Sequence, residues 1–471
     1  MKKPKIIAAL IVVCLLVFSL FLAGCSQTAT VTSISLTSSN DRQSVYTIYY
    51  SDGTTQTLTV QNGQDVTADE LYAKYKEVYG ENLTYDEFLQ KYLVLSADNS
   101  SVIGKALQSS VKLYTEFIET VTDFFGRPSG VNTAQYTGSG VVYQMDEDST
   151  YIITNYHVIY SNNANSTYNG GKTARRIVCF LYGSENGTDD FTPQKDSDGY
   201  NTYDYGDYAI ECEYIGGSLT KDIAIVRADT ADVLAVNPNV QPAVFADEYH
   251  VGETAIAIGN PENEGISVTE GIVSVDSEEI SLQIDSTVRT YRSLRIDTAI
   301  YGGSSGGGLF NVKGELIGIT NAGDQEDENI NFAIPLEIAK GTADNVLYFY
   351  RDGNEETTGA YTPSIGITTV AQNTRYSYDA GVGYGKITEE IVVDQVSSGS
   401  IAAQVGLQQN DRVTAFVING VKKQLDRCYD FTDTLLTLRP GDTISFEITR
   451  GSEAATASSY QLVWGDFRTL S

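Results

Sequence analysis

Only two of the 471 residues are histidines, and a serine or cysteine nucleophile working near neutral pH needs a base whose pKa lies close to that pH. His157 follows an apolar run in Thr154-Asn155-Tyr156-His157-Val158-Ile159, whereas His250 stands in Asp247-Glu248-Tyr249-His250, a charged stretch that reads as exposed loop. His157 is therefore the candidate base, although a histidine at a strand end is on its own more often structural. A nucleophile is offered by Tyr301-Gly302-Gly303-Ser304-Ser305-Gly306-Gly307-Gly308-Leu309. Glycines let the backbone adopt positive φ and turn successive N–H groups toward a developing oxyanion. A flexible linker has the same composition, but here apolar Ala299-Ile300 and Leu309-Phe310 flank the glycines. Asp222 heads the apolar run Asp222-Ile223-Ala224-Ile225-Val226, where a buried carboxylate needs a partner and an exposed strand end needs none. Together the three residue types are those of acyl transfer.

The elements that must hold these residues are strands. Tyr is present in 32 copies against one Trp and two Met, a bias that suits pleated, half-buried surfaces. From about 105 to 345, short apolar runs alternate with Gly, Asn and Asp, as in a sandwich or barrel. Ahead of this, Val31-Thr32-Ser33-Ile34, Val45-Tyr46-Thr47-Ile48-Tyr49-Tyr50 and Gln56-Thr57-Leu58-Thr59-Val60 read as a small β-meander. Between Asp65 and Leu93 the apolar period changes to that of two short helices. No chemistry is visible in residues 26–95, which read as a spacer. Residues 183–208, rich in Asp, Gly, Asn and Tyr, read as a solvated polar loop, with Ca²⁺ binding by clustered carboxylates as the lesser alternative. Residues 351–362 read as a linker, and a further strand-rich unit follows.

At the N-terminus, Lys2, Lys3 and Lys5 precede an uncharged stretch from Ile6 to Gly24. Its end, Leu22-Ala23-Gly24-Cys25, resembles the bacterial lipobox, which implies cleavage before Cys25 and acylation of that residue. An uncleaved transmembrane helix is the alternative, and either way the later residues lie outside the cytoplasm. The net charge of −30 disfavours nucleic acid and anionic lipid headgroups as partners. Cys179, Cys212 and Cys428 lack metal-ligand spacing, so no zinc site or cofactor is expected. Cys179 and Cys212 lie either side of the polar loop, as one disulfide or as two free thiols.

In order and context the three catalytic candidates resemble the HtrA (Deg) family of chymotrypsin-fold proteases. Histidine, aspartate and serine follow one another at intervals of 65 and 83 residues. The matches include Gly138-Ser139-Gly140-Val141-Val142, Ile258-Gly259-Asn260-Pro261 and Val268-Thr269-Glu270-Gly271-Ile272-Val273-Ser274. They continue through Asp297-Thr298-Ala299-Ile300, Gly314-Glu315-Leu316-Ile317-Gly318-Ile319 and Asn331-Phe332-Ala333-Ile334-Pro335. Ser304 and Gly308 replace the Asn and Pro usual in this family, a change expected to leave the oxyanion loop loose at rest. Residues 363–468 resemble the PDZ domain appended in the family, through Ser364-Ile365-Gly366-Ile367, the stretch Val396 to Asp411, Ile418-Asn419-Gly420 and Gly441-Asp442-Thr443-Ile444.

The resemblance implies a mainly β chain: signal peptide 1–24, anchor and spacer 25–104, a two-barrel protease domain 105–350, linker 351–362 and PDZ domain 363–468. It assigns Ser305 as nucleophile, His157 as base and Asp222 as orienting carboxylate, with Gly303, Ser304 and Ser305 around the oxyanion. It offers Ala299, Ile300 and Ile319 as walls of the pocket for the residue before the cut. Ser364, Ile365, Gly366 and Ile367 would take a peptide C-terminal carboxylate. The implied activity is a serine endopeptidase of the cell envelope acting on unfolded or exposed protein segments, possible as a homotrimer, and the alternative is an inactive chaperone or PDZ scaffold.

Overall fold

The computed structural model describes residues 31–39, 43–50, 54–61, 72–73, 76, 84, 99–184, 191–284, 287–323, 329–351, 359–379 and 384–470. The chain divides into two units, Met1–Asp98 and Asn99–Ser471. In the first, β1 (Val31–Ser39), β2 (Gln43–Tyr50) and β3 (Thr55–Gln61) form an antiparallel meander in sequence order, as the alternation predicts. Of the helices expected between 65 and 93, the described residues include Tyr72, Ala73 and Lys76, all helical, while the leader and Cys25 lie outside the described residues. Among the described residues no helix is long and apolar enough to cross a membrane.

The second unit begins with a six-stranded closed barrel built from β4 (Ser110–Thr122), β5 (Pro128–Met145), β6 (Ser149–Thr154), β7 (Arg176–Leu181), β10 (Ile210–Ser218) and β11 (Ile223–Asp229). A side hairpin, β8 (Thr192–Lys195) and β9 (Asn201–Asp204), occupies part of the polar insertion, and no cluster suited to a metal ion is present among the described residues. Val111, Leu113, Val142, Ile152, Val226 and their neighbours fill the barrel. Gly140 is required where β5 crosses this core, because a Cβ there would stand 2.7 Å from Ile152 and 2.9 Å from Val111. Cys179 and Cys212 lie on paired strands, two residues out of register, as free thiols. The hydrogen bond between them and burial hold the Cys212 thiol well above its ordinary pKa.

A second barrel follows from β12 (Val244–Phe245), β13 (Thr254–Gly259), β14 (Ser267–Ile284), β15 (Thr287–Ile296), β16 (Gly308–Phe310), β17 (Glu315–Gly323) and β18 (Asn331–Pro335), with the β17–β18 pairing closing the ring. The helix Leu336–Arg351 begins directly after Pro335, whose fixed φ suits the approach to a helix. Its Ala339, Ala343, Val346 and Leu347 share one apolar cluster with Ile153 and Ile225 of the first barrel and Ile256, Ile258 and Phe310 of the second. The two barrels and this helix are therefore one packed body.

The third part carries β19 (Tyr361–Pro363), β20 (Ile367–Asp379), β21 (Tyr384–Val396), β22 (Arg412–Ile418), β23 (Val421–Gln424), β24 (Thr443–Arg450), β25 (Glu453–Thr456), β26 (Tyr460–Gln461) and β27 (Phe467–Thr469). β20 is the edge of the main sheet, beside the helix Cys428–Leu435. This part is fixed to the barrels: Phe349 of the long helix enters its core, and Asn345 bonds both Tyr361 and the carbonyl of Leu436. His250 is not an exposed loop residue, because its ring stacks on Tyr384 at 3.5 Å between centroids.

Candidate active site

His157 and Asp222 meet because β6 and β11 are adjacent antiparallel strands, with Ala224 opposite Thr154. After Thr154 the chain leaves the barrel at Asn155 and makes one short turn, Tyr156–Val158, which presents His157 at the rim. Asp222 sits just ahead of β11 with φ 50°, a left-handed conformation uncommon for a residue other than glycine. Three hydrogen bonds hold it there. His157 Nδ1 lies 2.8 Å from Asp222 Oδ2, the His157 N–H donates to Oδ1 at 2.9 Å, and Asn155 Nδ2 donates to the Asp222 carbonyl at 3.0 Å. Asp222 is wholly buried and the His157 side chain is 25% exposed, so the carboxylate is confined to the imidazole while the ring reaches solvent.

The nucleophile segment is held by its own backbone. Gly302 O accepts from the N–H of Glu262 at 2.6 Å, Gly303 O accepts from Ser139 Oγ at 2.8 Å, and Ser304 O accepts from Thr320 Oγ1 at 2.6 Å. Because each peptide is planar and trans, turning these carbonyls outward turns the N–H of the following residue the opposite way. The N–H groups of Gly303 and Ser305 have no acceptor among the described residues, while that of Ser304 is bonded to Tyr301 O at 3.0 Å. Of the three expected donors, the N–H groups of Gly303 and Ser305 are thus free to meet an oxyanion, whereas that of Ser304 closes a turn. Two of the loop glycines are required where they stand. Gly303 has φ 92° and a Cβ there would stand 2.4 Å from Asn260 O, and Gly306 has φ 87° with Ser139 O at 2.2 Å from its virtual Cβ.

Ser139 is the residue whose role sequence reading did not assign. Its hydroxyl donates to Gly303 O and accepts from Asn260 N, and its N–H donates to Ser305 O, so one side chain of the first barrel braces the loop of the second. The Gly138-Ser139-Gly140 pattern marks the place but not the task. Ser305 Oγ donates to Asn321 O at 3.0 Å. Of the expected pocket walls, Ile319 is fully buried in the inter-barrel core and Ile300 is 7% exposed in the core of the second barrel, because β17 and the segment before the loop are covered on both sides. Ala299 alone of the three keeps accessible surface.

A groove of about 450 Å³ runs between β20 and the helix Cys428–Leu435, lined by Ser364 to Thr369, Phe431, Thr432 and Leu435. Ile365 O accepts from Ala402 N and Gly366 O from Ser397 N, which directs the N–H groups of Gly366 and Ile367 to the other side. Gly366 has φ 80° and abuts Ser400, so no other residue fits. Ser364 is corrected: its N–H is bonded to Asp466 O and is not free to meet a ligand.

Residues 138–319 match the trypsin-like peptidase domain and residues 363–459 match the PDZ domain. The chain is 27% identical over 336 residues to serine protease Do-like HtrA of Bacillus subtilis, covering 70% of this chain and 64% of that one. It is 26% identical over 390 residues to serine protease Do-like HtrA of Lactococcus lactis, covering 77% and 82% respectively. Among solved structures it is similar to the HtrA-type protease AlgW with decapeptide, at 21% identity and a TM-score of 0.45, over 78% of this chain and 99% of that one. A trypsin-like peptidase domain followed by a PDZ domain makes the chain a serine-type endopeptidase, similar in this arrangement to the HtrA serine proteases.

Proposed function

We propose that this protease cleaves unfolded or exposed segments of extracytoplasmic proteins, tethered to the outer face of the cytoplasmic membrane by acylated Cys25. The observation that carries the catalytic part is the pairing of a buried Asp222–His157 hydrogen bond with two unengaged N–H groups flanking Ser305. Ser305 Oγ attacks the scissile carbonyl while His157 takes the proton and later delivers it to the leaving amine; Asp222 holds the imidazole tautomer. The N–H groups of Gly303 and Ser305 bind the oxyanion, each contributing about 3 kcal/mol, and water then hydrolyses the acyl-enzyme. Of the expected pocket walls the small, apolar Ala299 keeps accessible surface, which favours small or medium apolar side chains before the cut.

The PDZ groove would receive a peptide C-terminus by adding a strand to the open edge of β20, with its carboxylate on the N–H groups of Gly366 and Ile367. Assembly as a homotrimer belongs to the same proposal. Casein digestion by the protein beside its Ser305→Ala form tests the catalytic reading, and digestion that persists in the variant would end it. Mass spectrometry of the mature N-terminus tests the anchor: an acylated Cys25 is expected, and an intact leader in the membrane form would replace the tether by a transmembrane helix.

A further inference from the structure

The turn that carries Asp222 is supported from outside its own barrel. Tyr291 in β15, 3% exposed, donates its hydroxyl to Leu219 O at 3.1 Å. Its phenol is held above its ordinary pKa, first by burial and then by the charge of Asp222, so it lies within the electrostatic reach of the catalytic carboxylate. On another side, Ala360, in the connection to the PDZ domain, donates its N–H to Gly217 O at 3.3 Å. The residue next to Asp222 is Lys221, whose ammonium is disfavoured by burial and by Arg292 and favoured by Asp433.

Asp433 belongs to the PDZ domain. It lies on the helix Cys428–Leu435, whose Phe431, Thr432 and Leu435 wall the peptide groove, and it is 5% exposed on the side facing the barrels. It is paired with Arg292, the neighbour of Tyr291 in β15, and Arg292 also meets Glu337 at 2.7 Å and stacks on the Tyr429 ring at 3.9 Å. Arg292 Nε and Nη1 are buried without a hydrogen-bond partner, so this cluster is not optimised as a stabilising ion pair. Apolar residues of similar volume would often serve stability as well or better. A charge kept at such a place, between the groove wall and the lysine adjoining the catalytic aspartate, points to positioning.

We propose that Asp433 is a positioning residue of the protease: by pairing with Arg292 it holds β15 where the neighbouring Tyr291 bonds the Leu219 carbonyl, and by its charge beside Lys221 it steadies the same turn that carries Asp222, so the PDZ groove helix forms part of the support of the triad. This rests on the assignment of Asp222, His157 and Ser305 above. Loosening the turn degrades the Asp222–His157 geometry, which acts after substrate is bound and therefore falls on kcat.

The experiment is steady-state cleavage of a short peptide with an amidated C-terminus by the full chain, beside Asp433→Asn, Asp433→Glu and Lys221→Gln. Asp433→Asn is expected to lower kcat about tenfold with KM unchanged, Asp433→Glu to recover most of the loss, and Lys221→Gln to reproduce part of it. Affinity for a fluorescent peptide with a free carboxylate, which reads the groove alone, stays unchanged. An unchanged kcat in Asp433→Asn overturns the proposal, as does a loss shared equally by kcat and groove affinity with no recovery in Asp433→Glu. Should Asp433→Asn fail to fold, full activity in Lys221→Gln overturns it. Ser305→Ala separates the two levels: residual cleavage there defeats the triad itself, whereas a dead Ser305→Ala beside a fully active Asp433→Asn defeats only this inference.

Discussion

The first barrel presents its catalytic groups through side chains, and the second presents its own through backbone. In the first, Asp222 is gripped by an imidazole, a main-chain N–H and an amide, all from residues 155 to 157. In the second, the working groups are two N–H donors whose direction is set by carbonyls bonded to Glu262, Ser139 and Thr320. Chemistry that depends on a pKa and a proton path needs particular side chains, while stabilising an oxyanion needs only amides aimed at one point. The consequence is that the two halves fail differently: one by losing a functional group, the other by losing a conformation.

Removing the group gives the largest effect. Ser305→Ala should lower the turnover of an unfolded substrate by about 10⁶-fold with the fold intact, as judged by thermal melting, since only a hydroxyl is lost. Activity surviving with Ser304 in place would move the nucleophile by one residue.

Removing the conformation comes next. Gly303→Ala places a Cβ 2.4 Å from Asn260 O at φ 92°, so the peptide between residues 302 and 303 must rotate and the Gly303 donor is lost. A fall in kcat of about 10² to 10³-fold is expected, with KM for a short peptide little changed. Kinetics close to the parent would show that the second barrel's geometry is not what the reaction uses.

The same contrast decides what was legible in the sequence. His157, Asp222 and Ser305 stand out because few residue types perform those tasks and their strand-end contexts are visible as apolar runs. The glycine loop is legible as a need for positive φ, but its bracing is not. Glu262 acts through its main-chain N–H, which any residue but proline has, and Ser139 and Thr320 are two hydroxyls among many. Ile319 is hard to place for a related reason: it lies on β17, a strand covered on both faces, which loses the alternation that separates core from pocket. His250 reads as surface from its charged neighbours, yet its ring is covered by Tyr384, a contact 134 residues away in the chain.

Ser139 joins the two halves, and Ser139→Ala tests whether the side chains of one barrel set the backbone of the other. The variant leaves Asn260 N–H and Gly303 O without their partner inside the protein, at a cost of about 2 kcal/mol. Thermal melting should show that loss, and kcat should fall by about tenfold if part of it is expressed at the oxyanion loop. A destabilised variant with full kcat would confine Ser139 to structure.

The smallest effect concerns buried acids that do no catalysis, and here too the barrels differ. Glu116 of the first barrel, 1% exposed, accepts from Thr202 Oγ1 at 2.8 Å and is flanked by Arg175 and Arg176. Glu253, ahead of β13 in the second, is half-buried and accepts one N–H, from His250 at 3.1 Å. Burial pushes its carboxyl from 4.5 to about 7, opposed by that N–H and by Lys313 and assisted by Glu248 and Glu315. A raised folded pKa means that the folded state binds more protons than the unfolded one. Its favourable contribution is complete below the unfolded value and is lost as pH rises through about 7. Glu253→Gln mimics the protonated form and retains an acceptor for His250. It should therefore match the parent near pH 4 and exceed it above pH 7, by about 1 kcal/mol once solvent screening of a half-exposed group is allowed for. Melting curves at both ends of that range measure the difference. Equal stability of the two proteins above pH 7 would show that Glu253 is better solvated or better paired than its surroundings indicate, and the contrast with Glu116 would then vanish.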